Sequence, residues 1–257
     1  MTSLAHTIVF ITGASSGIGR SCARTFAEAG AKLILAARRK NRLEKLAAEL
    51  KKQFHTETVI YELDVRDNRA VTKFYKKLPD EWRQIDILVN NAGLSRGLNK
   101  LYEGKIEDWE EMIDTNVKGL LYVSRTVLPG MVERKKGTVI NIGSIAGHEV
   151  YPGGNVYCAT KHAVDAITKG MRMDVVDTPI RVCTIDPGLV ETEFSEVRFH
   201  GDKERAKKTY QNMTPLTPDD IADAVLFAAT RPPHVQIAEL IIMPTAQAST
   251  TLVHRAQ

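Results

Sequence analysis

The chain has 257 residues, of which 43% are hydrophobic and 26% charged, a composition that supports a sizeable core and excludes a disordered protein. Its formal net charge of +4 is too small to indicate nucleic-acid binding by itself. No apolar stretch approaches the roughly 18 residues of a membrane span, and three cysteines without a CxxC pair favour a cytoplasmic protein with free thiols.

Seven short apolar runs alternate with longer amphipathic stretches along the chain. The runs are HTIVFIT, AKLILAA, ETVIYEL, IDILVNN, GTVINIG, IRVCTID and AELIIMP. Helices are predicted at about residues 17–29, 41–53, 68–78, 109–134, 155–176 and 218–229. This alternation predicts an α/β fold with a seven-stranded, mainly parallel sheet covered by helices on both faces. No repeat or linker divides the chain, so we predict one doubly wound domain over residues 1–257.

Residues 191–212 interrupt this rhythm with polar and charged side chains before the last predicted helix. Ligands of doubly wound folds bind beyond the carboxyl ends of the strands, so this insertion, at about residues 189–212, is predicted to be a substrate lid. The last helix has its own start signal, because Thr217 can cap it, Pro218 suits its first position and Asp220 gives a capping-box spacing.

The first apolar run is followed by TGASSGIG at residues 12–19. Gly13, Gly17 and Gly19 permit a tight turn, a close approach of the backbone to a diphosphate, and close packing of the next helix. The N-terminus of that helix would supply N–H donors to the phosphates. On spacing alone, a simple strand-to-helix turn explains these glycines equally well.

The second run ends at Arg38 and Arg39, about where an NAD-binding fold places an acid for the ribose hydroxyls. Two guanidinium groups suit a 2′-phosphate through charge and bidentate hydrogen bonds, and so favour NADP over NAD. The alternative is a solvated basic start of the helix near Asn41, continuous with Lys40 and Arg42.

Tyr157 and Lys161 lie four residues apart in a helical pattern, so their side chains share one face. A lysine cation near a tyrosine stabilises the phenolate and lowers a pKa that ordinarily lies near ~10, which allows acid/base chemistry near neutral pH. Ser144 follows the fifth run, where its hydroxyl can hydrogen-bond a substrate oxygen. Taken alone, the Tyr–Lys pair is more typical of an exposed helix face.

In this order and spacing, the motifs resemble the short-chain dehydrogenase/reductase family over essentially the whole chain. The shared pieces are TGASSGIG, LDV at 63–65, NNAG at 90–93, the asparagine of NVKG, Ser144, YCATK at 157–161, and PG at 187–188. The resemblance implies a Rossmann-type fold and an NADP(H) site. The implied cofactor-binding residues are Gly13, Ser15, Ser16, Gly17, Ile18, Gly19, Arg38, Arg39, Asp64, Val65, Asn91, Ala92, Gly93, Tyr157, Lys161, Pro187, Gly188, Val190 and Thr192. The local alternatives are a strand-end cap for Asp64 and a turn for Asn91.

The same resemblance implies four catalytic residues in an oxidoreductase that acts on CH–OH groups. Tyr157 would be the acid/base, Ser144 would polarise the substrate oxygen, and Lys161 would position the ribose and tune the tyrosine. Asn116 would organise water beside the lysine. By itself, a mid-helix asparagine is more often a kink or a solvated residue.

A narrower resemblance, to the NADP-dependent 3-hydroxy acid dehydrogenases of that family, comes from four longer stretches. These are GGNVYCATK at 153–161, PGLVETEFSEVRF at 187–199, KTYQN at 208–212 and IIMPTAQAS at 241–249. It implies a small carboxylated substrate such as serine or allo-threonine, bound at Ser144 and Tyr157. A carboxylate needs a cation or oriented N–H groups, for which Arg198 is the first candidate. A solvated lid arginine explains Arg198 equally well, and Arg96 and His148 stay open as cleft residues.

Two other functions remain open from the sequence. One is an NADP-dependent reductase of other small aldehydes, ketones or sulfonated aldehydes. The other is a non-catalytic nucleotide-binding interaction protein, against which the complete set of four catalytic residues argues. The resemblance also implies a homo-oligomer, as a tetramer formed through the helices at 109–134 and 155–176, although the apolar faces of these two helices could equally belong to the core. The seven histidines show no ligand spacing, so no metal is predicted, and no nucleic-acid or membrane partner.

Overall fold

A seven-stranded sheet forms the centre of the molecule, in a computed structural model that describes residues 4–256. The strands are β1 (Ile8–Thr12), β2 (Lys32–Ala37), β3 (Thr58–Glu62), β4 (Ile87–Asn90), β5 (Gly137–Ile142), β6 (Ile180–Pro187) and β7 (Glu239–Ile242). All six strand pairings are parallel. The predicted α/β fold is therefore confirmed, and the sheet, predicted to be mainly parallel, is parallel throughout.

The strand order is β3-β2-β1-β4-β5-β6-β7. The chain builds outward from β1 to β3 and then crosses to β4 on the other side of β1, where Val9 pairs with both Leu33 of β2 and Ile87 of β4. Such a reversal leaves a crevice beyond the carboxyl ends of β1 and β4, because the connections on either side diverge. This crevice is where the topology favours a ligand.

Nine α-helices connect and cover the strands in residues 4–256. They are α1 (Gly17–Glu28), α2 (Lys40–Phe54), α3 (Asn68–Lys77), α4 (Ile106–Ile113), α5 (Leu120–Arg134), α6 (Asn155–Asp174), α7 (Phe194–Arg198), α8 (Lys203–Lys208) and α9 (Pro218–Ala229). Five of the six predicted helices match to within two residues at each end. The last begins as predicted, with a complete capping box between Thr217 and Asp220.

The predicted helix at 109–134 is wrong in both its start and its continuity. It begins three residues earlier, at Ile106, and the segment Asp114–Gly119 is a π-helical turn between α4 and α5. An inserted π turn is frequent at functional sites because it redirects side chains without ending the helix. Here it contains Asn116, which is buried.

Both faces of the sheet are buried along its five central strands, which explains the continuous apolar runs in the sequence. The edge strands β3 and β7 are only partly buried. Val9 and Ile11 of β1 belong to the core beneath α1, α2 and α9. Ile8 and Phe10 point to the opposite core, beneath α3, α5 and α6. Successive strand residues thus serve opposite cores, as the two-residue period of a strand requires.

The insertion between β6 and α9 contains the two short helices α7 and α8. Cys22, Cys158 and Cys183 are free and buried, in agreement with the predicted free thiols. Within residues 4–256, no helix has both the length and the apolar character of a membrane span.

Candidate active site

A cleft of about 720 Å³ lies at the carboxyl ends of the strands, bounded by the glycine turn, by the loops after β2 to β6, and by residues of the segment 189–212. That segment is called the lid below, after the prediction made for it. All the predicted cofactor-binding residues line this cleft except Gly19. Ser144 and Arg198 line it as well. One cavity therefore brings together residues that are up to about 185 positions apart in the sequence.

The glycine turn adopts backbone angles that require glycine. Gly13 and Gly17 have φ angles of +66° and +50°, in the left-handed region that side chains disfavour. A Cβ atom on Gly19 would lie 2.6 Å from the Gly13 carbonyl oxygen, so this glycine permits close packing and does not face the cleft. Ser16 makes no side-chain cap to α1, which leaves the first N–H groups of the helix for an anion.

The start of the NNAG motif is bonded to the end of β1. The side-chain Nδ2 of Asn91 donates to the Thr12 carbonyl at 2.9 Å and to the Gly13 carbonyl at 3.2 Å. The Thr12 hydroxyl accepts from the backbone N–H groups of Asn91 and Ala92, both at 3.1 Å. These bonds join β1 to β4 at the switch point and hold Ala92 and Gly93 along the cleft.

Arg39 is tied to both sides of the cleft. Its guanidinium donates to the hydroxyls of Ser15 at 3.2 Å and Ser16 at 2.6 Å, and to the Glu193 carboxylate at 2.8 Å. Arg42 donates to the other carboxylate oxygen of Glu193 at 2.5 Å. Arg38 is half exposed, 3.5 Å from Glu111. Arg38, Arg39 and Arg42 thus form a cluster of positive charge beside the glycine turn, called the cationic corner below. The Glu193 carboxylate bridges Arg39 and Arg42.

Asp64 lies after β3 and forms a two-pronged ion pair with Arg66, at 2.6 Å and 3.0 Å. Partial burial of the carboxyl disfavours its charge, but the hydrogen bonds and charge of Arg66 outweigh this effect, so the pKa of Asp64 is lowered. Asp64 is therefore a fixed carboxylate beside the cleft, and Val65 lines the cleft next to it.

Tyr157 lies on α6 and is 8% exposed. Burial raises the pKa of its hydroxyl, and the neighbouring Tyr151 hydroxyl raises it further, while Arg198 and a hydrogen bond with Ser144 act in the opposite direction. Its ring is 5.6 Å from the ring of Phe194 in the lid. The protein alone thus holds Tyr157 as a neutral phenol, poised to donate a proton.

Lys161 is one helical turn further along α6, and it is also buried, at 7% exposed. Its Nζ donates to the Ile142 carbonyl at 2.8 Å and lies 5.9 Å from the centre of the Tyr157 ring. Burial lowers the pKa of Lys161 to about 8, against the partial opposition of the Asp186 charge. The predicted sharing of one helix face by Tyr157 and Lys161 is confirmed, and that face is buried, not exposed.

Ser144 follows β5 and is held at three points. Its backbone N–H donates to Oδ1 of Asp186 at 3.0 Å, and its hydroxyl accepts from the Ala146 N–H at 3.1 Å. The hydroxyl lies 3.3 Å from the Pro187 carbonyl, to which it donates. Asp186 is 1% exposed, and burial raises the pKa of its carboxyl. These contacts fix the serine at the mouth of β5, beside Tyr157.

Asn116 is held inside the π turn, not in solvent. Its Nδ2 donates to the Leu94 carbonyl at 2.8 Å and to the Thr160 hydroxyl at 3.0 Å, while its Oδ1 accepts from the Leu94 N–H at 2.9 Å. The side chain therefore connects the loop after β4 to α6, one residue before Lys161. A solvated mid-helix asparagine, the local alternative, does not describe this position.

Arg198 reaches from α7 into the substrate end of the cleft. Its Nη2 donates to the Tyr151 hydroxyl at 3.1 Å, and its guanidinium carbon lies 5.3 Å from the Tyr157 ring centre and 5.1 Å from that of Phe194. Its Nε is buried and has no hydrogen-bond partner. Arg96, by contrast, donates to Glu111 and to a lid carbonyl, and is not among the residues that line the cleft.

Several residues that line the cleft were not predicted from the sequence, among them Glu193, Tyr151 and Gln247. Glu193 accepts a hydrogen bond from Arg39, and the Tyr151 hydroxyl accepts one from Arg198. Glu193 lies within the motif at 187–199, and Tyr151 lies just before the motif at 153–161. The sequence therefore contained both residues near known motifs but did not show which side chains they contact. Gln247 follows β7 and accepts a hydrogen bond from the Leu189 N–H at 2.9 Å. No sequence signal marks it, because its position depends on how the C-terminal segment folds back over the cleft.

Comparisons with known proteins agree with this geometry. A family model described as short chain dehydrogenase matches residues 7–203. An NADP-dependent 3-hydroxy acid dehydrogenase of Salmonella typhi is 51% identical over 251 residues, covering 97% of this chain and 100% of that protein. A protein of the same description from Schizosaccharomyces pombe is 46% identical and covers 100% of both chains. The solved closed form of serine dehydrogenase complexed with NADP⁺ has a TM-score of 0.91 at 48% identity, over 98% of this chain and 100% of that one.

Proposed function

The chain belongs to the short-chain dehydrogenase family, and on that premise we propose that it transfers a hydride between NADP(H) and a small 3-hydroxy acid such as serine or allo-threonine. The observation that carries the proposal is the position of the Arg198 guanidinium, 5.3 Å from the Tyr157 ring centre, with a buried Nε that lacks a partner. A cation beside the acid/base residue is what a substrate with both a hydroxyl and a carboxylate requires.

The cleft residues fit an NADP(H) molecule in both charge and shape. The uncapped first turn of α1 offers N–H donors to a diphosphate. Arg38, Arg39 and Arg42 lie together after β2 and would hold a 2′-phosphate. Asp64 and Val65 would flank the adenine, Asn91 to Gly93 would line the middle of the cleft, and Pro187 to Thr192 would cover the nicotinamide end.

The chemistry that a bound nicotinamide supplies is hydride transfer. In the direction of reduction, Tyr157 donates its hydroxyl proton to the substrate carbonyl oxygen, and in oxidation it takes that proton back. Ser144 hydrogen-bonds the same oxygen as its charge changes. Lys161 stabilises the phenolate that remains. Asn116, which is bonded to Leu94 and Thr160, would organise water beside the lysine.

Arg198 would bind the carboxylate of the substrate. Its side chain lines the cleft and its Nη2 donates to Tyr151, whereas its Nε has no hydrogen-bond partner within residues 4–256, so the guanidinium retains an unused donor. A carboxylate placed there would remove the cost of that unpaired group and gain a charge-assisted hydrogen bond. The substrate oxygen and carboxylate would then be fixed at two separate points, which orients the reacting carbon.

A spectrophotometric screen with NADP and NAD in parallel tests the proposal. Serine, allo-threonine and 3-hydroxybutyrate are compared with uncharged diols of the same size, and with small aldehydes, ketones and sulfonated aldehydes in the reverse direction. We expect turnover with NADP and a carboxylated alcohol. Preferential turnover of uncharged or sulfonated carbonyl compounds would support the alternative reductase. Tight NADPH binding without any turnover would support a non-catalytic nucleotide-binding protein.

The wider organisation of the protein is part of the same proposal. We propose that residues 1–257 act as one catalytic domain with its lid at about 189–212, that the protein works in the cytoplasm, and that it assembles as a homotetramer. Exposed apolar side chains on α4 and α5, among them Ile113, Leu121 and Val132, support an oligomer. The proposed partner is a small molecule, with no role for nucleic acid or a membrane.

A further inference from the structure

Three side chains from distant parts of the chain meet behind Ser144. They are His148, in the loop after β5, Asp186 near the end of β6, and Glu239 at the start of β7. The imidazole Nε2 of His148 lies 3.4 Å from Oδ2 of Asp186 and 3.7 Å from Oε1 of Glu239. All three atoms lie within 4.8 Å of one another.

Two of these three atoms are buried and, among residues 4–256, have no partner with standard hydrogen-bond geometry. Asp186 is 1% exposed, and its Oδ1 accepts from the Ser144 N–H. The side chains of Thr184 and His148 lie close enough to the carboxyl to oppose the rise of its pKa, but its Oδ2 accepts no hydrogen bond of standard geometry. The Nε2 of His148 is also buried and unpartnered, although it faces that oxygen at ion-pair distance. Buried polar atoms in native proteins are nearly always paired. An imidazole nitrogen and a carboxylate oxygen that face each other at 3.4 Å without hydrogen-bond geometry are therefore open to a ligand that both can bind.

We propose that His148, Asp186 and Glu239 form a binding site for one divalent transition-metal ion of the Zn²⁺ class. Zinc binds imidazole nitrogen and carboxylate oxygen at about 2.0–2.2 Å in tetrahedral geometry, which places neighbouring ligand atoms about 3.4 Å apart. The two separations from the imidazole, 3.4 Å and 3.7 Å, match that requirement. The two carboxylate oxygens lie within 4.8 Å of each other and would close on the ion. Three protein ligands leave a fourth position for water.

The charges around the site favour a dication with affinity for nitrogen. Two carboxylates neutralise its charge, and an imidazole ligand favours Zn²⁺ over Mg²⁺ or Ca²⁺, which prefer oxygen alone. The competing cation is Lys169, whose Nζ lies 4.0 Å from Glu239 but only 2.7 Å from Asp165. Lys169 is half exposed, so its charge is screened by solvent and can be directed toward Asp165 when an ion binds.

The ion would act on the active site through position and not through chemistry. None of its three ligands is among the described residues that line the cleft. However, Oδ1 of Asp186, the carboxylate oxygen that does not face His148, accepts the hydrogen bond of the Ser144 backbone N–H. A bound ion would therefore connect β6, β7 and the loop after β5, and would restrain the serine. His148, which the sequence left open as a cleft residue, would be a metal ligand behind the cleft, contrary to the predicted absence of a metal.

Zinc binding to the full-length protein tests this inference. Protein stripped with EDTA is titrated with ZnCl₂ by calorimetry, with MgCl₂ in parallel, and Co²⁺ is added separately to read the visible absorption of a tetrahedral site. We expect one equivalent of Zn²⁺ per chain and no comparable Mg²⁺ binding. His148→Ala and Glu239→Gln should each weaken Zn²⁺ binding by at least about tenfold. His234→Ala, which removes an exposed histidine that is not one of the three proposed ligands, should leave it unchanged.

The same samples are heated with and without Zn²⁺. An ion that binds only the folded chain raises the melting temperature of the wild type but not that of the ligand variants. If His148→Ala does not fold, the nearly isosteric Glu239→Gln decides the outcome by itself. Equal Zn²⁺ affinity in the wild type and in both ligand variants, or no Zn²⁺ binding by the wild type, would overturn the inference.

Discussion

Tyr157 is the residue on which proton transfer depends in the proposed reaction. Tyr157→Phe removes the hydroxyl that is proposed to exchange a proton with the substrate oxygen, while leaving a ring of the same shape against Phe194. General acid/base catalysis contributes about 10²- to 10⁴-fold, and we expect kcat to fall by that factor. NADPH affinity, measured by fluorescence titration, should change little. Tyr151→Phe is the matched control, and an equal loss of kcat in both variants would contradict the assignment.

Lys161 illustrates a conflict between stability and function. Burial lowers the pKa of Lys161 from 10.5 to about 8. Below pH 8 the lysine is therefore charged in the folded chain, in surroundings that disfavour the charge. The pKa difference corresponds to a decrease of about 3 kcal/mol in the free energy of unfolding. The cost decreases as the pH rises from about 8 to 10.5, because the folded chain loses its proton first. Lys161→Met should therefore unfold at higher denaturant concentration than the wild type at pH 7, and the difference should shrink at pH 9.5.

The same variant should have almost no activity, because the phenolate of Tyr157 loses its neighbouring cation. Denaturation curves at the two pH values, together with turnover assays, check both halves of the prediction. A stability difference that does not depend on pH would mean that the lysine is not buried in its charged form.

Arg198 separates substrate binding from cofactor binding. Arg198→Ala should raise KM for carboxylated alcohols by about tenfold to a hundredfold, because hydrogen bonds to charged groups contribute about 1.5–3 kcal/mol. KM for uncharged diols and the Kd for NADPH should stay near their original values. Arg205→Ala, on the neighbouring lid helix, provides the control. An equal rise in KM for charged and uncharged substrates would assign Arg198 to lid packing against Tyr151 and Phe194.

The candidate catalytic residues could be found from the sequence because their order is shared with a known family, but their surroundings could not. Ser144, Tyr157 and Lys161 converge as the resemblance implies. The contact of Glu193 with Arg39 and Arg42 spans about 150 positions, and neither charge pattern nor period encodes such a pairing. A single sequence shows which groups can ionise, whereas burial and partners, which decide their pKa, arise only on folding.

At the scale of elements, the lid is fastened to the cationic corner by one carboxylate. Glu193 bridges Arg39 and Arg42 at 2.8 Å and 2.5 Å, the arginines that would hold a 2′-phosphate. Glu193→Gln removes a competing anion and should tighten NADPH binding by about two- to fivefold, the range of a partly exposed ion pair. NADH lacks the 2′-phosphate, so the substitution should not tighten its binding and should only remove the contact between Glu193 and the two arginines.

The ratio of the NADPH Kd to the NADH Kd is therefore the decisive measurement for Glu193. We expect the ratio to fall in Glu193→Gln and to stay constant in Glu196→Gln, which alters an acid within α7, the short helix that Glu193 immediately precedes. A parallel change for both cofactors would show that Glu193 acts on lid closure alone and does not compete with the phosphate.

A helix end could be predicted where local side chains cap it, as Thr217 and Asp220 cap the start of α9. Helix ends and interruptions that depend on packing against other elements could not be predicted in this way. The predicted helix at 109–134 has a continuous amphipathic pattern, yet the chain inserts a π turn at Asp114–Gly119. The turn allows Asn116 to bond with Leu94 and Thr160. Local propensity does not distinguish α from π geometry, because the distinguishing contacts lie in other elements.

For the molecule as a whole, the fold class followed from the sequence, because only a sheet buried on both faces needs seven nearly continuous apolar runs. The order of the strands needed the structure, since the apolar runs do not differ enough to specify their neighbours. That order places the switch point between β1 and β4, and thereby places the glycine turn, Ser144 and Tyr157 at one edge. The modest net charge of +4 conceals a local concentration of arginines at that edge.

Self-association is the property of the whole molecule that the exposed surface predicts most directly. Leu121 and Val132 are 42% and 39% exposed, and their eleven-residue spacing places them on one face of α5, three turns apart. A tetramer would cover this face, so Leu121→Glu combined with Val132→Glu should yield a species of lower mass by light scattering. Both positions already face solvent in the single chain, so the far-ultraviolet circular dichroism should not change. Lys51→Glu, on the exposed side of α2, controls for altered charge, and an unchanged mass in the double variant would exclude this face of α5 from the interface.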